Sequence, residues 1–257
     1  VTSVYDSERL AAAYAFDRPP VHQQILRSAR LDGRAHRALD IGCGAGLSTA
    51  ALASLAQQVI GLEPVPAMLA HARTVAPQAR FVVGGAEHLP FGAGVFDLIT
   101  AAGSLNYTDL LPALSEISRV LAPGGDLLLY DFSEGRRSTS GDALADWFGA
   151  FEQRFPWPAG WRPLDPRELS LAACGLRLLE YTDIELRLPT SFDDYLRYTV
   201  SGINVDSAVT RGSCTPEQAR AWCRETLAPV FAAGDLTVVI PAYLATLGRA
   251  DGESPLR

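Results

Sequence analysis

The sequence predicts an α/β fold: a doubly wound, mostly parallel sheet with an antiparallel edge and a helical cap inserted before the last strand. Three observations point to it. Between Arg37 and about Phe132, short β-rich apolar runs alternate with stretches of helical period, the pattern of parallel strands joined by crossover helices. Those runs are apolar almost without interruption, as strands buried on both faces require. Two later alternating segments are separated by helical sequence, which suits an antiparallel edge carrying an insertion.

The first strand is "RALDI", and it passes through "GCGAG" into a helix from Leu47 to Ala56. "QVIGLE" is the second strand. The helix after it, Pro66 to Val75, has proline in its first turn, where the missing N–H is not needed. "ARFVV" is the third strand, and no helix follows: "GGAEHLPFGAGVF" reads as loop with a short apolar grip at Leu89 to Phe91. "FDLITA" is the fourth strand. A helix from Leu111 to Leu121 then stops at "APGG", and "DLLLYDF" is the fifth strand. In the second half, Gly141 to Phe155 and Pro166 to Cys174 read as helical, and "GLRLLEYTDIELRL" as a strand. Helices from Phe192 to Gly202 and from Pro216 to Ala232 precede the last strand, "DLTVVIPAYLATLGR".

Composition removes several classes of function. The length of 257 residues suits a single α/β unit with an insertion. A net charge of −7 without any basic cluster argues against a nucleic-acid partner. All 22 basic residues are arginine, which excludes a Schiff-base lysine, a P-loop lysine and a lysine base. Cys43, Cys174, Cys214 and Cys223 form neither a C-x-x-C nor a zinc-ligand spacing, so they are expected to be reduced, mostly core thiols, with no metal site. The opening "VTSVYDSERL" lacks the features of a signal peptide, and no apolar run approaches ~18 residues. A cytoplasmic protein without membrane association is the expectation.

Gly42, Gly44 and Gly46 give G-x-G-x-G between a strand and a helix, where free N–H groups and the helix dipole favour a negatively charged group. A dinucleotide fingerprint needs its third glycine at position 47, which here is Leu47. About twenty residues after the loop, Glu63 ends the second strand where a carboxylate can accept from both ribose hydroxyls of an adenosine.

The segments "ALDIGCGAGLST", "VIGLEPVPAML", "FVVGGAEHLPF", "FDLITAAGSLNYTD" and "RVLAPGGDLLLYDF" occur in this order from Ala38 to Phe132. Together they resemble the class I S-adenosylmethionine-dependent methyltransferases of the small-molecule, type 11-like kind. The resemblance implies a Rossmann-like, seven-stranded sheet, S-adenosyl-L-methionine as cofactor, a small-molecule acceptor, and a monomer or homodimer. It implies that Gly42, Gly44 and Gly46 wrap the methionine part while Asp40 supports its amino group, often through water. Glu63 would take the ribose, Met68 would contact the adenine, and Ala86 would offer its N–H to the ring. Gly85 stands where the family usually has an aspartate, so Glu87 or a backbone carbonyl is expected to take over. Ala101 is small where the backbone must approach the sulfonium.

Within this frame the chain is expected to form one domain: an N-terminal lid (1–36), a cofactor-binding core (37–132), an aromatic arm and late strand (133–188), a cap insertion (189–234) and a final strand and tail (235–257). Acceptor contacts are expected from Tyr5 and Tyr14 in the lid, from Asn106 and Tyr107 after the fourth strand, and from Tyr195 and Arg197 in the cap. In "SFDDYLRYTVSGINV", Phe192, Tyr195, Leu196 and Thr199 share one helical face, whereas Arg197 and Tyr198 fall off it. A general base is needed only if the acceptor must lose a proton; His22, Tyr5, Tyr14, Tyr107 and Asp131 are the candidates. The aromatic segment from Trp147 to Trp161 is either an acceptor wall or a helix plus hydrophobic arm docked on the sheet or on a second subunit. A rival reading keeps the cofactor fold without methyl transfer, as a ligand-binding or scaffold protein or a sulfonium-assisted enzyme of another kind. Gly85 is the feature in its favour.

Overall fold

A computed structural model of the chain describes residues 8–158 and 163–250. The five apolar runs form β1 (Ala35–Ile41), β2 (Ala56–Glu63), β3 (Arg80–Val83), β4 (Phe96–Ala102) and β5 (Leu121–Phe132), paired in parallel in the order β3-β2-β1-β4-β5. Strand order reverses between β1 and β4, and that switch point opens a crevice at the carboxyl ends of the strands. The short β6 (Arg137–Ser138), the edge strand β7 (Leu176–Thr190) and β8 (Leu236–Arg249) complete the sheet. β8 runs antiparallel to β5, from Phe132 opposite Ala242 to Leu127 opposite Leu247, and β7 runs antiparallel to β8 along its whole length. Among the described residues the sheet therefore has seven main strands plus a two-residue extension, β6, that pairs with β8 beyond the end of β5.

Helices α1 (Glu8–Phe16) and α2 (His22–Leu26) precede the sheet. α3 (Leu47–Leu52), α4 (Pro66–Val75) and α5 (Leu110–Val120) make the crossovers, and α6 (Ala143–Arg154) follows β6. The long connection between β7 and β8 folds as α7 (Phe192–Val200), α8 (Ile203–Thr210) and α9 (Pro216–Leu227). Here the expectation of two helices is corrected to three. α7 stops before Gly202, whose extended backbone (φ −70°, ψ 152°) starts α8, and α8 buries Ile203, Asn204, Val205, Asp206 and Ala208. Burial spread so far round a helix leaves no single apolar face to read in the sequence. The segment Pro166 to Cys174 is two 3₁₀ turns, Pro166–Glu168 and Leu171–Cys174, and α3 ends at Leu52 because β2 already begins at Ala56.

Period-two alternation along β5 divides the core between the two faces of the sheet. Leu128 and Tyr130 pack with α2, α3, α6 and the cap, among them Leu52, Trp147, Phe155, Tyr195 and Leu196. Leu127 and Leu129 pack on the other face with Leu114 and Ile117 of α5. A third cluster joins α1 to α4 through Ala11, Ala15, Val65 and Met68. Trp147 Nε1 donates to Thr226 Oγ1 at 2.9 Å and so ties α6 to the cap. The four cysteines are free, with Cys43, Cys174 and Cys223 buried. Among the described residues no helix is long and apolar enough to cross a membrane.

Candidate active site

A cavity of about 750 Å³ lies at the carboxyl ends of β1, β2, β4 and β5 and continues beneath α1, α7 and the start of α8. The glycine loop forms one wall. Each of its glycines has a left-handed backbone, but for different reasons. At Gly42 (φ +64°) a Cβ would come within 2.3 Å of Ser104 Cβ, and at Gly46 (φ +93°) within 2.9 Å of the Ala72 Cα on α4. At Gly44 (φ +51°) a Cβ would meet nothing within 4 Å, because that position faces the open cavity. Gly42 and Gly44 line the cavity. Gly46 does not: it is there so that α3 and α4 can approach, which corrects its assignment to the ligand.

Two carboxylates hold this loop. Asp40 is completely buried; its Oδ2 accepts from Ser48 Oγ (2.7 Å) and Thr49 Oγ1 (2.6 Å), and its Oδ1 from Thr100 Oγ1 (2.9 Å). Burial pushes its carboxyl up against the opposing pull of those hydroxyls. It is not part of the cavity lining; it fixes the first turn of α3, so any support it gives to a ligand's amino group is indirect, as through water. Glu63 does line the cavity. Its Oε2 accepts from the Gly44 N–H and its Oε1 from the Val65 N–H, both at 3.0 Å, and burial again raises its pKa.

Met68, Gly85, Ala86 and Glu87 line the same end. The Glu87 carboxylate fills the room beside Gly85: a Cβ there would stand 2.9 Å from Glu87 Oε2, while Oε1 accepts from the Asp109 N–H at 3.0 Å. Ala101 is 3 % exposed and belongs to the core on the α5 side. The alternation of β4 gives the cavity Ala102 instead, which corrects that expectation.

The remaining lining is aromatic and acidic. Tyr14, His22, Asn106 and Tyr107 all belong to it, with Tyr14 packed beside Met68 and Tyr107 half exposed. Tyr5 lies outside the described residues. His22 Nδ1 is 3.1 Å from the Tyr130 hydroxyl, and burial, aided by the charge of Arg18, lowers its pKa to about 4, so the ring is neutral at physiological pH. Asp131, at the end of β5, accepts from the Phe132 N–H at 2.8 Å, and burial pushes its carboxyl up to about 6 against the opposing pull of that N–H and of the Asn106 side chain. Gly103 (φ +59°) makes room for it, since a Cβ there would stand 2.6 Å from Asp131 Oδ1.

The cap contributes other residues than expected. Tyr195 is core: its hydroxyl donates to the Gly135 carbonyl at 2.6 Å, and it is 2 % exposed. Arg197 lies outside this cavity, paired with Asp17 and Asp194. Tyr198 and Thr199 line the cavity in their place. α7 buries a broad arc, so the stripe turned to the sheet carries Tyr195 and Leu196 and the flank turned to the cavity carries Tyr198. The sequence reading also passed over Arg18, Asp183 and Tyr243. Arg18 stacks on the Tyr14 ring at 3.8 Å and faces Tyr198. Phe148, Phe151 and Trp157 of the aromatic segment line the cavity, whereas Trp147 and Phe155 pack in the core; Trp161 is outside the described residues. Among the described residues no group of His, Cys, Asp and Glu is arranged to hold a metal ion.

Residues 39–129 match the family described as the methyltransferase domain. An uncharacterized methyltransferase of Synechocystis, sll0829, is 34% identical over 154 residues, which span 58% of this chain and 71% of that protein. The methyltransferase YcgJ of Bacillus subtilis is 31% identical over 169 residues, 63% of this chain and 64% of its own. Its crystal structure superposes with a TM-score of 0.55 over 90% of this chain and 98% of that one, at 24% identity. The same fold is seen in the phosphoethanolamine N-methyltransferase 2 of Haemonchus contortus bound to S-adenosylhomocysteine: TM-score 0.57, 17% identity, 97% of this chain and 61% of that one. Other curated relatives are matched over less than half of their length.

Proposed function

Because this chain belongs to the class I S-adenosylmethionine-dependent methyltransferases, we propose that it moves a methyl group to an O, N or C nucleophile of a small acceptor held in the aromatic end of its cavity. The observation that carries the reading is continuity. One cavity is lined at one end by the glycine loop, Glu63 and Met68, and at the other by Asp131, Tyr198 and Tyr243.

The residues at the first end fit S-adenosylmethionine. Gly44 leaves open a space that any side chain would fill, so the backbone can be approached closely there. Glu63 uses two of its roughly four acceptor sites on the protein backbone, which leaves sites for ribose hydroxyls. Leu62, Val65 and Met68 offer an apolar wall to a flat base, and Glu87 supplies the carboxylate that Gly85 lacks. When bound, the cofactor supplies an electrophilic methyl group on a sulfonium. The protein's own part is orientation, which makes up most of the catalysis of an in-line displacement. Phe148, Phe151 and Trp157 exclude water from the acceptor, and Asp131 stands where a proton can be received. The reading takes the partner to be a small molecule, without nucleic acid or membrane, in keeping with the net charge of −7.

The test is calorimetry with S-adenosylmethionine, followed by incubation with an acceptor panel and detection of S-adenosylhomocysteine. Gly44→Val places a branched side chain in the open space and should abolish cofactor binding with modest loss of stability. Retained binding in that variant would sink the assignment of the loop.

A further inference from the structure

Asp131 of β5 lies directly opposite Tyr243 of β8, and Tyr243 lies opposite Asp183 of β7. Directly opposed residues in neighbouring strands project from the same face, so two carboxylates flank a phenol in one row across three strands. All three line the aromatic end of the cavity. The Asp131 carboxylate accepts from the Phe132 N–H and keeps further lone pairs for a ligand. Asn106, whose side chain pulls the Asp131 pKa down against the effect of burial, has a buried Oδ1 that accepts no hydrogen bond among the described residues, and Asn106 also lines the cavity. A buried acceptor without a donor is costly. Two neighbouring acceptors on one cavity wall therefore wait for donors.

We propose that the methyl acceptor is a primary amine, gripped through its N–H groups by Asp131 and the Oδ1 of Asn106; the inference rests on the methyl-transfer reading above. Counting donors decides among nucleophiles. An alcohol or phenol brings one hydrogen and leaves one acceptor unpaired, and a carboxylate brings none and meets Asp131, Glu134 and Asp183. The two cations of the lining are already engaged: Arg136 with Glu134 and Glu152, and Arg18 on the Tyr14 and Tyr198 rings. A primary amine that has released its ammonium proton to solvent satisfies both acceptors with its two N–H groups and keeps its lone pair in a third direction, free to attack. In the transfer that lone pair forms the N–C bond. The sulfur–carbon bond of the methyl donor breaks with its electron pair left on sulfur, and the surplus proton on nitrogen passes to the Asp131 carboxylate, which burial makes a stronger base. The rings of Phe148, Phe151 and Tyr198 suit an aromatic or cationic body behind the amine.

Three probes of one shape test this: 2-phenylethylamine, 2-phenylethanol and 3-phenylpropanoate, titrated calorimetrically into the full chain saturated with S-adenosylhomocysteine, where no turnover occurs. The amine should bind at least tenfold tighter than the alcohol, with the acid weakest. Asp131→Asn and Asn106→Leu should each cut the preference for amine over alcohol below threefold while leaving S-adenosylhomocysteine affinity within threefold. If one variant fails to fold, the other carries the comparison. Equal or tighter binding of the alcohol or the acid, no binding of any probe, or a preference that survives the substitutions would each overturn the proposal. So would a tenfold loss of S-adenosylhomocysteine affinity in Asn106→Leu, which would give Oδ1 to the cofactor. Failure of S-adenosylhomocysteine to bind the unsubstituted protein is a different result, and it would overturn the methyl-transfer reading itself.

Discussion

Glu63 closes β2 with one carboxylate oxygen on the Gly44 N–H and the other on the Val65 N–H, so it shapes the loop that a ligand must meet as well as facing the ligand. Glu63→Ala should therefore weaken S-adenosylmethionine by ~1.5 to 3 kcal/mol, the loss of hydrogen bonds to a charged acceptor. Calorimetry on a folded variant checks it, and an unchanged dissociation constant would remove Glu63 from the site. Asp131 gives a prediction in pH. Its carboxyl is raised from 3.8 to about 6, so the folded protein holds a proton that the unfolded chain releases between those values. Stability from this group then falls as pH rises through that window, by about 3 kcal/mol at 1.36 kcal/mol per unit. Asn cannot release a proton. Asp131→Asn should thus gain on the unsubstituted protein by about that amount between pH 4 and pH 7 in urea melts, whereas a constant difference would mean that Asp131 titrates normally. At this scale the sequence showed Glu63 and Gly44 clearly, because a strand end and a loop position fix what they face. It did not separate Gly46 from Gly44: contact with Ala72 of α4 and openness to the cavity are both met by glycine.

Among the elements, β1 to β5 were legible because strands buried on both faces carry their signal locally, in unbroken apolar runs. The cap was less so. α7 packs against the sheet on one flank and faces the cavity on the other, and a helix with two buried flanks does not say which is which. The structure separates them, and the difference is measurable. Tyr195→Phe removes the bond to the Gly135 carbonyl and should cost ~0.5 to 1.5 kcal/mol of stability in denaturant titrations, with acceptor kinetics unchanged. Tyr198→Ala should instead raise the KM for the acceptor at least several-fold while S-adenosylmethionine affinity stays within about twofold, ~0.4 kcal/mol. Altered acceptor kinetics in Tyr195→Phe, or none in Tyr198→Ala, would reverse the assignment of the two flanks. Asp183 and Tyr243 were out of reach of the sequence for another reason. Their meeting with Asp131 depends on the register of three strands far apart in the chain.

Across the whole molecule, the cavity draws its walls from segments far apart in the chain: Tyr14 from α1, Arg18 and His22 after it, and Tyr198 and Thr199 from α7. Arg18 stacks on Tyr14 and faces Tyr198, and Arg197 pairs with Asp17, so the N-terminal segment meets the cap directly above the ligand space. β7 pairs with β8 along its whole length, whereas α1 and α7 are expected to open locally, ahead of the sheet. A ligand that binds the folded state alone at a hundred times its dissociation constant stabilises it by ~2.7 kcal/mol. S-adenosylhomocysteine at that concentration should raise the melting temperature by about 5 to 10 °C and slow exchange of β4 and β5 amides, which open only globally, by about a hundredfold. Amides of α1 and α7 open locally and would feel the ligand only if it needs them closed. Hydrogen exchange followed by mass spectrometry should show them slowing together with the core. If the core slows while α1 and α7 exchange as before, residues 1–36 and 189–234 do not act as lid and cap, and the ligand is held by the sheet and its glycine loop alone.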